Sequence, residues 1–278
     1  MIWFLGLIGL LAGQPQQPQP RPGWPCVGRP DPSMVQVSEG SGGQVFLLDP
    51  SEVASSATLL MASHGLDETL RRVVGELDAG VRTIDVHVDS SVERALFSVS
   101  LQCLQEIELV RPSGTPVAAS DPGVTWTAFQ AGRQVGVETP EPGLWKLRLA
   151  GKGLLFLVVH ARTSLALEDA RLVRIGGRPG HEGMFRDDAP LVPGTRRLME
   201  IRLSPGILGP TFGLRSSNDT ALGALPQAPQ QTSDEEQVYL SEYLVPPIPF
   251  RVVVTGRDAA GNIVQRAQSP LFQLSQTR

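Results

Sequence analysis

The residue types that could support chemistry are few, and the densest group of them surrounds His87. Asp85, His87 and Asp89 alternate with Ile84, Val86 and Val88, so the three polar side chains share one face of a predicted strand. A histidine beside two carboxylates could bind a metal ion or transfer protons. The same alternation turns this face towards solvent. We therefore interpret it as a solvated strand face rather than an active site.

The remaining candidates for catalysis are isolated from one another. The sequence contains no His-Glu-x-x-His helix and no paired cysteines with zinc-ligand spacing. Its serines in glycine-containing turns lack the strand–turn–helix context of a nucleophile elbow. The isolated residues are His64, His160, His181, Ser41 and Ser113. We therefore predict a protein that is not an enzyme and that has no catalytic residue, cofactor or metal site.

Two segments could bind a ligand, and each has a plainer interpretation. Trp145 could stack on a sugar, but its place in an alternating apolar segment favours a core position. Asp234, Glu235 and Glu236 could bind a cation, but consecutive acids without turn-forming spacing are usually a solvated face.

One short motif has a defined consequence. Asn218-Asp219-Thr220 is an N-x-Thr glycosylation acceptor, in a polar and serine-rich stretch where a glycan would meet solvent. It is relevant only if the chain is exported, and then Asn218 is the predicted glycosylation site.

The N-terminus bears on that question. Residues 1–13, MIWFLGLIGLLAG, are too short to span a bilayer but fit the apolar region of a signal peptide. No basic residue precedes this run, so an alternative start that happens to be apolar is the other interpretation. Residues 14–43 are rich in Pro, Gln and Gly and are predicted to be a linker. No other segment has the length of a membrane span.

Charge and cysteine content narrow the class of protein. The net charge is −4, the sequence pI is about 5.6 and 19% of residues are charged, so no basic surface for nucleic acid is expected. Cys103 continues the alternation of its strand, which favours a buried thiol. A bridge to Cys26, the only other cysteine, is the alternative.

Periodicity predicts mainly β structure after an initial strand and helix. Residues 45–48 form an apolar run typical of one strand, and Asp49-Pro50-Ser51 begins a helical turn. An amphipathic stripe then predicts a helix with Ser63 as its N-cap; the stripe consists of Leu66, Leu70, Val73, Val74 and Leu77.

Two antiparallel β-sandwiches are predicted to follow. The first covers residues 80–162 and ends in a hairpin in which Gly151-Lys152-Gly153 reverses the chain. The second covers residues 165–276 and contains a Pro/Gln-rich loop over residues 222–237. It ends in FRVVVTGRDAAGNIVQR, residues 250–266, read as strand, polar turn and strand.

These features in this order resemble the hemicentin-like family of von Willebrand factor A domain-containing proteins. The resemblance covers residues 38–275 and rests on SGGQVFLLD, the helix, the PGLWKLRL strand and the final hairpin. It implies that residues 44–79 are the last strand and helix of an A domain. It further implies that residues 80–162 are a galactose-binding-like sandwich and residues 165–276 an immunoglobulin-like one.

One departure from that family matters for function. The family's A domain binds a divalent metal through an Asp-x-Ser-x-Ser loop, whereas the segments beginning at Asp31 and Asp49 both lack the second Ser. The metal-dependent adhesion site is therefore absent. The expectation is a secreted, non-enzymatic interaction or structural protein with extracellular protein partners. A carbohydrate-binding accessory module is the alternative.

Overall fold

A computed structural model describes residues 26–178, 180–226, 228–232 and 237–275. Over these ranges the chain is mainly β, with three antiparallel sheets and short helices before them. The elements are α1 Pro32–Ser41, a 3₁₀ helix Pro50–Ser55, α2 Ser56–Met61, β1 Glu68–Val88, β2 Val92–Val110, β3 Val124–Phe129, β4 Gly132–Glu138, β5 Gly143–Thr163, β6 Leu167–Arg178, β7 His181–Arg186, β8 Arg196–Leu203, β9 Leu208–Arg215, β10 Ala221–Leu225, β11 Ala228–Thr232, β12 Gln237–Leu244, β13 Arg251–Arg257 and β14 Ile263–Ala267.

The first sandwich is one sheet folded over on itself. Its order is β1-β5-β2-β4-β3, and β1 and β5 each contain 21 residues. A straight strand of that length would extend about 70 Å. Phe97 pairs with Val159 near one end of β5, yet its ring lies 5.5 Å from that of Trp145, near the other end. The two halves of the sheet therefore share one core.

The fold-over coincides with register shifts in the middle of the long strands. Shifts occur between Leu77 and Gly80 and between Leu101 and Cys103, where bulges bend a strand and increase its twist. Gly151 lies beside these register shifts, and a Cβ at this position would be 2.5 Å from the Cys103 carbonyl oxygen. The predicted hairpin at residues 151–153 is wrong, because β5 continues through it as a single strand.

The second sandwich consists of two sheets around a separate core. Their orders are β10-β9-β13-β14 and β11-β12-β8-β6-β7. The predicted terminal hairpin is confirmed, since β13 pairs with β14 and Phe250, Val252 and Val254 are buried in this core. The stretch predicted as a Pro/Gln-rich loop, residues 222–237, contains β11 and all but the first residue of β10, so that prediction is wrong for these residues.

The predicted helix over residues 66–77 is wrong. Residues 68–77 belong to β1, in which Val73 packs into the core of the first sandwich and Val74 into a cluster on the opposite face. An apolar stripe at helical spacing is also produced by a strand that is covered on both faces. β1 also runs across the predicted boundary at residues 79–80.

Residues 26–66, here called the N-terminal strap, cover part of the outer face of the first sandwich. Residues 45–48 are not paired as a strand, contrary to expectation, although Leu47 is buried. Asp49 begins a 3₁₀ helix with a capping box, as expected of a helical start. The linker prediction is wrong for residues 32–41, which form α1. The predicted signal segment and residues 14–25 lie outside the described residues.

Candidate functional site at the domain junction

Three charged side chains from three parts of the chain meet where the sandwiches join. Glu39 on α1, Arg72 on β1 and Arg251 on β13 are each at least 96% buried. Glu39 Oε1 lies 2.6 Å from Arg72 Nη2, and Glu39 Oε2 accepts a hydrogen bond of 2.6 Å from Arg251 Nη2. One carboxylate of the strap therefore binds a guanidinium from each sandwich.

Backbone carbonyls accept further hydrogen bonds from the two guanidiniums, although Arg251 Nε is buried without a partner among the described residues. Arg72 donates to the carbonyl oxygens of Gly42 at 3.0 Å and Gly43 at 2.6 Å. Arg251 donates to the carbonyl of Ser269 at 2.8 Å. Burial lowers the pKa of Arg251 to about 10, and the charge of Glu39 opposes that shift. Arg251 therefore remains a cation at neutral pH.

The ends of α1 explain why Glu39 lies at this position. Asp31 caps the helix by accepting a 2.8 Å bond from the Ser33 amide, and Pro32 occupies the first turn. Gly42 ends the helix in the left-handed conformation, with φ of 77°. A Cβ at Gly42 would lie 2.9 Å from Ser269 Cβ. Glycine thus satisfies both the cap and the close approach to the second sandwich.

A second buried ion pair joins the sandwiches at the end of β1. Asp89 and Arg266 are both fully buried, and Asp89 Oδ2 lies 2.7 Å from Arg266 Nη1. Arg266 also donates to the Leu165 carbonyl at 2.6 Å, in the connection between the two sandwiches. The prediction that Asp89 faces solvent is wrong, because the second sandwich covers this end of the strand.

A hairpin residue adds a third contact between the sandwiches. Asp258 Oδ2 accepts bonds from the Ser90 amide at 2.9 Å and the Ser90 hydroxyl at 2.7 Å. Asp258 also accepts a bond from the Asn262 amide within its own turn. Burial works against the charge of Asp258, but the hydrogen bonds from Ser90 and Asn262 outweigh it and hold the pKa below its usual range.

A cavity of about 400 Å³ opens beside α1 at the same junction. Its walls come from the strap, from both sandwiches and from the segment after β14, and they are mainly apolar. They comprise Arg29, Pro30, Pro32, Val35, Gln36, Glu39, Val74, Leu154, Ser216, Ser217, Ile248, Pro249, Leu271 and Gln273. Pockets between domains are common ligand sites, but the carboxylate that faces this one is already engaged by two arginines.

The predicted glycosylation site, Asn218, lies on the rim of the junction. Asn218 is exposed, and its Oδ1 accepts a 2.9 Å bond from the hydroxyl of Thr220. Its loop is attached to the first sandwich, because the Val74 amide donates to the Ser217 carbonyl at 2.7 Å and Asp219 pairs with Arg71. The side-chain amide nitrogen of Asn218, Nδ2, forms no hydrogen bond with the described part of the protein.

Cys26 and Cys103 form a disulfide, with Cα atoms 4.3 Å apart. The favoured interpretation of Cys103 as a free buried thiol is therefore wrong, and the alternative pairing is correct. The bond fixes the start of the strap to β2, and Cys26 is exposed whereas Cys103 is only 6% exposed.

Most of the other candidates stay apart. Trp145 is fully buried and donates to the Glu141 carbonyl at 2.8 Å, so the core interpretation is confirmed. Asp85 is exposed, His87 is half-buried and burial lowers its pKa. Within the described ranges, no group of three or more His, Cys, Asp or Glu is placed to hold a metal ion. Asp234, Glu235 and Glu236 lie outside those ranges.

The sequence contained one signal for the buried triad. Val253 shares a strand face with Arg251, opposite the face formed by Phe250, Val252 and Val254. An apolar residue at this position indicated that the face of Arg251 is also covered, and Val253 is only 7% exposed. Nothing in the sequence identified Glu39 as the covering charge.

Comparisons with known proteins place the chain in no family. No family model matches the sequence, and no curated protein matches it either. Among solved structures, the crystal structure of Bacillus licheniformis lipase BlEst2 in propeptide form is similar at 13% identity. The match covers 70% of this chain and 43% of that chain, with a TM-score of 0.26. Similarity at that level carries no functional argument.

None of the helices within the described ranges is both long and apolar enough to cross a bilayer.

Proposed function

We propose that the chain is a secreted, non-enzymatic interaction or structural protein that binds extracellular protein partners through the surfaces of its two β-sandwiches. The observation that carries this proposal is the triad of Glu39, Arg72 and Arg251. A single helix is bound by buried ion pairs to both sandwiches, which fixes their relative positions. A spacer or binding module needs that property, whereas a catalytic site needs an accessible reactive group.

Three features support export. The Cys26–Cys103 disulfide is of the kind that persists in oxidising compartments. Asn218, within its acceptor motif, is exposed. Residues 1–13 supply an apolar segment of signal-peptide type.

We also infer the finer domain types from the sequence resemblance. In this proposal the first sandwich is galactose-binding-like, the second is immunoglobulin-like, and the chain is related to the hemicentin-like family. The two-sheet antiparallel architecture of the second sandwich and its terminal hairpin support the immunoglobulin-like assignment.

Expression with the natural N-terminus in secretory cells tests the proposal. The chain should appear in the medium with a glycan on Asn218, and Asn218→Gln should migrate faster on a gel by about one glycan chain. Ser217→Ala leaves the acceptor motif intact and should retain the glycan. Retention in the cytosol, with both cysteines free and unshifted mobility, would contradict the proposal.

A further inference from the structure

We propose that the free edge of β7 binds a second copy of this chain, through an antiparallel pairing of the two β7 strands that is centred on Met184. The inference goes beyond the proposed function, because it concerns self-association and does not depend on export. It rests on the exposure of the β6–β7 hairpin, the direction of its backbone groups and the order of its charges.

The edge formed by β7 is apolar and unprotected. β7 lies at one end of the sheet β11-β12-β8-β6-β7. Met184 and Phe185 are 43% and 47% exposed, and Ile175, opposite Met184 on β6, is 62% exposed. β11, at the other end of the sheet, contains Pro229 and a register shift, which protect an edge against further pairing. β7 contains no proline and pairs with β6 without a register shift, so it is the edge that can accept another strand.

The pairing of β7 with β6 determines which backbone groups point outwards. The Asp187 amide donates to the Leu172 carbonyl at 2.9 Å, so these two residues form a hydrogen-bonded pair. Hydrogen-bonded and non-hydrogen-bonded pairs alternate along an antiparallel ladder, and β6 and β7 keep one register along their whole length. The amides and carbonyls of Glu182, Met184 and Arg186 therefore point away from β6. A second β7 strand must place its own outward-directed residues opposite these three.

Charge selects one register among those that remain. If Met184 faces Met184 of the second copy, Glu182 of each chain lies opposite Arg186 of the other. Opposite charges directly across a ladder are stabilising, whereas like charges are destabilising. A pairing centred on Glu182 or on Arg186 would place like charges opposite each other. A pairing centred on Gly183 or on Phe185 would bring neither charge to its opposite.

The charges of this edge are accessible to a second chain. Arg186 contacts Asp188 of its own chain at 2.8 Å, but the two side chains are 79% and 76% exposed, and such pairs contribute little. Glu182 is exposed as well. Exchange of the Asp188 contact for Glu182 of the second copy therefore costs little.

The apolar side chains fit the same register. Phe185 would lie opposite Gly183 of the second copy, in a non-hydrogen-bonded pair with Cα atoms about 4.5 Å apart. Glycine leaves room for the ring, and the ring covers the glycine backbone. On the other strand face the two Met184 side chains would be adjacent, each beside an Ile175. Pairing would therefore cover the exposed apolar patch, a kind of surface that marks protein interfaces.

Sedimentation velocity of the purified full chain at roughly 1–300 µM tests the proposal, since a small edge interface implies micromolar affinity. Wild type should shift from monomer to dimer over this range. Glu182→Arg and Arg186→Glu should each weaken self-association at least tenfold. An equal mixture of these two variants should form a heterodimer, because its pairs again join opposite charges. Glu242→Arg, on β12 of the same sheet and 56% exposed, is the matched control and should dimerise like wild type.

A backbone variant tests the hydrogen bonding separately. Met184→Pro removes an amide that points outwards and leaves the bonds to β6 intact. It should be monomeric, with a circular dichroism spectrum like that of wild type. The double variant Glu182→Arg/Arg186→Glu should dimerise like wild type, because the opposite charges still meet.

Each contrary result overturns the proposal. A wild-type chain that stays monomeric throughout would leave an extended segment of another protein as the occupant of this edge. A dimer that survives Met184→Pro, or a mixture of the single-charge variants that fails to associate, would place the interface elsewhere. Open-ended oligomers would also contradict it, because an interface that uses the same surface on both chains closes with two copies.

Discussion

Glu39 and Arg251 form a buried ion pair, with Oε2 and Nη2 2.6 Å apart, although 212 positions separate the two residues in the sequence. The pair joins α1, at the beginning of the described chain, to β13 near its end. Because Arg72 binds the other oxygen of the same carboxylate, one side chain links the strap to both sandwiches. The relative position of the sandwiches therefore depends on Glu39 more than on any exposed contact.

Replacing Glu39 with Gln should lower the free energy of unfolding by about 3–5 kcal/mol, because two buried guanidiniums lose their counter-charge. The side-chain shape is retained, so the effect isolates the charge. Urea denaturation followed by circular dichroism measures it. Glu76→Gln removes the carboxylate of an exposed pair with Arg29 and should cost no more than about 1 kcal/mol. Equal effects from the two substitutions would show that the triad is not important for stability.

Asp89→Asn should be costly for the same reason, by about 3–5 kcal/mol, since Arg266 is fully buried and would be left unpaired. The matched control is Glu93→Gln, whose partner Arg162 is 54% exposed. Thermal unfolding should show a clear fall in Tm for Asp89→Asn and little change for the control. A small fall in Tm for Asp89→Asn would contradict the burial of Arg266, because it would mean that water solvates the guanidinium.

Two half-buried groups, Glu68 and His160, are expected to make opposite contributions to the pH dependence of stability. Burial raises the pKa of Glu68 from 4.5 to about 7, with Leu167 and Arg266 opposing the shift and Asp67 and Glu168 adding to it. Burial lowers the pKa of His160 from 6.5 to about 4, and the charge of Arg72 adds to that shift. Between pH 4.5 and 6.5 the native state holds one extra proton on Glu68 and lacks one on His160. Their contributions to the pH dependence of stability therefore cancel.

Single substitutions should expose each contribution. In Glu68→Gln the pKa shift of His160 is no longer offset by that of Glu68. The free energy of unfolding should therefore fall by about 1.4 kcal/mol per pH unit as the pH drops from 6.5 towards 4. In His160→Gln the pKa shift of Glu68 is the one left unbalanced. The free energy of unfolding should therefore rise at a similar rate as the pH drops from 7 to 4.5. Urea midpoints at a series of pH values measure both slopes. Identical slopes in the two variants would rule out these pKa shifts.

Gly151 should be intolerant of a side chain because of the fold-over of β5. A Cβ at this position would lie 2.5 Å from the Cys103 carbonyl oxygen, so Gly151→Ala must displace backbone at the bend and should cost about 1–3 kcal/mol. Gly28 has open space around its Cβ position, and Gly28→Ala should change stability by less than about 0.5 kcal/mol. Chemical denaturation compares the two. Wild-type stability in Gly151→Ala would contradict the close packing of β2 and β5 at the bend.

The sequence by itself determined the β-rich class, the burial of Trp145 and the terminal hairpin. Each of these follows from local alternation and turn chemistry: Phe250, Val252 and Val254 lie on one strand face, and glycine and polar residues follow where the chain turns. Such patterns indicate which face of a strand is buried, and they depend only on residues that are close in the sequence.

Only the tertiary structure decided which elements cover the strand faces that lie opposite the predicted core faces. Val73 and Val74 match a helical stripe, but both are buried because β1 is covered on each side, and Asp89 is buried because Arg266 arrives from β14. The pairing of Cys26 with Cys103 and of Glu39 with Arg251 likewise joins residues that are distant in sequence. Local periodicity contains no information about such partners, since their burial becomes favourable only when the opposite charge or sulfur is brought into contact by the fold.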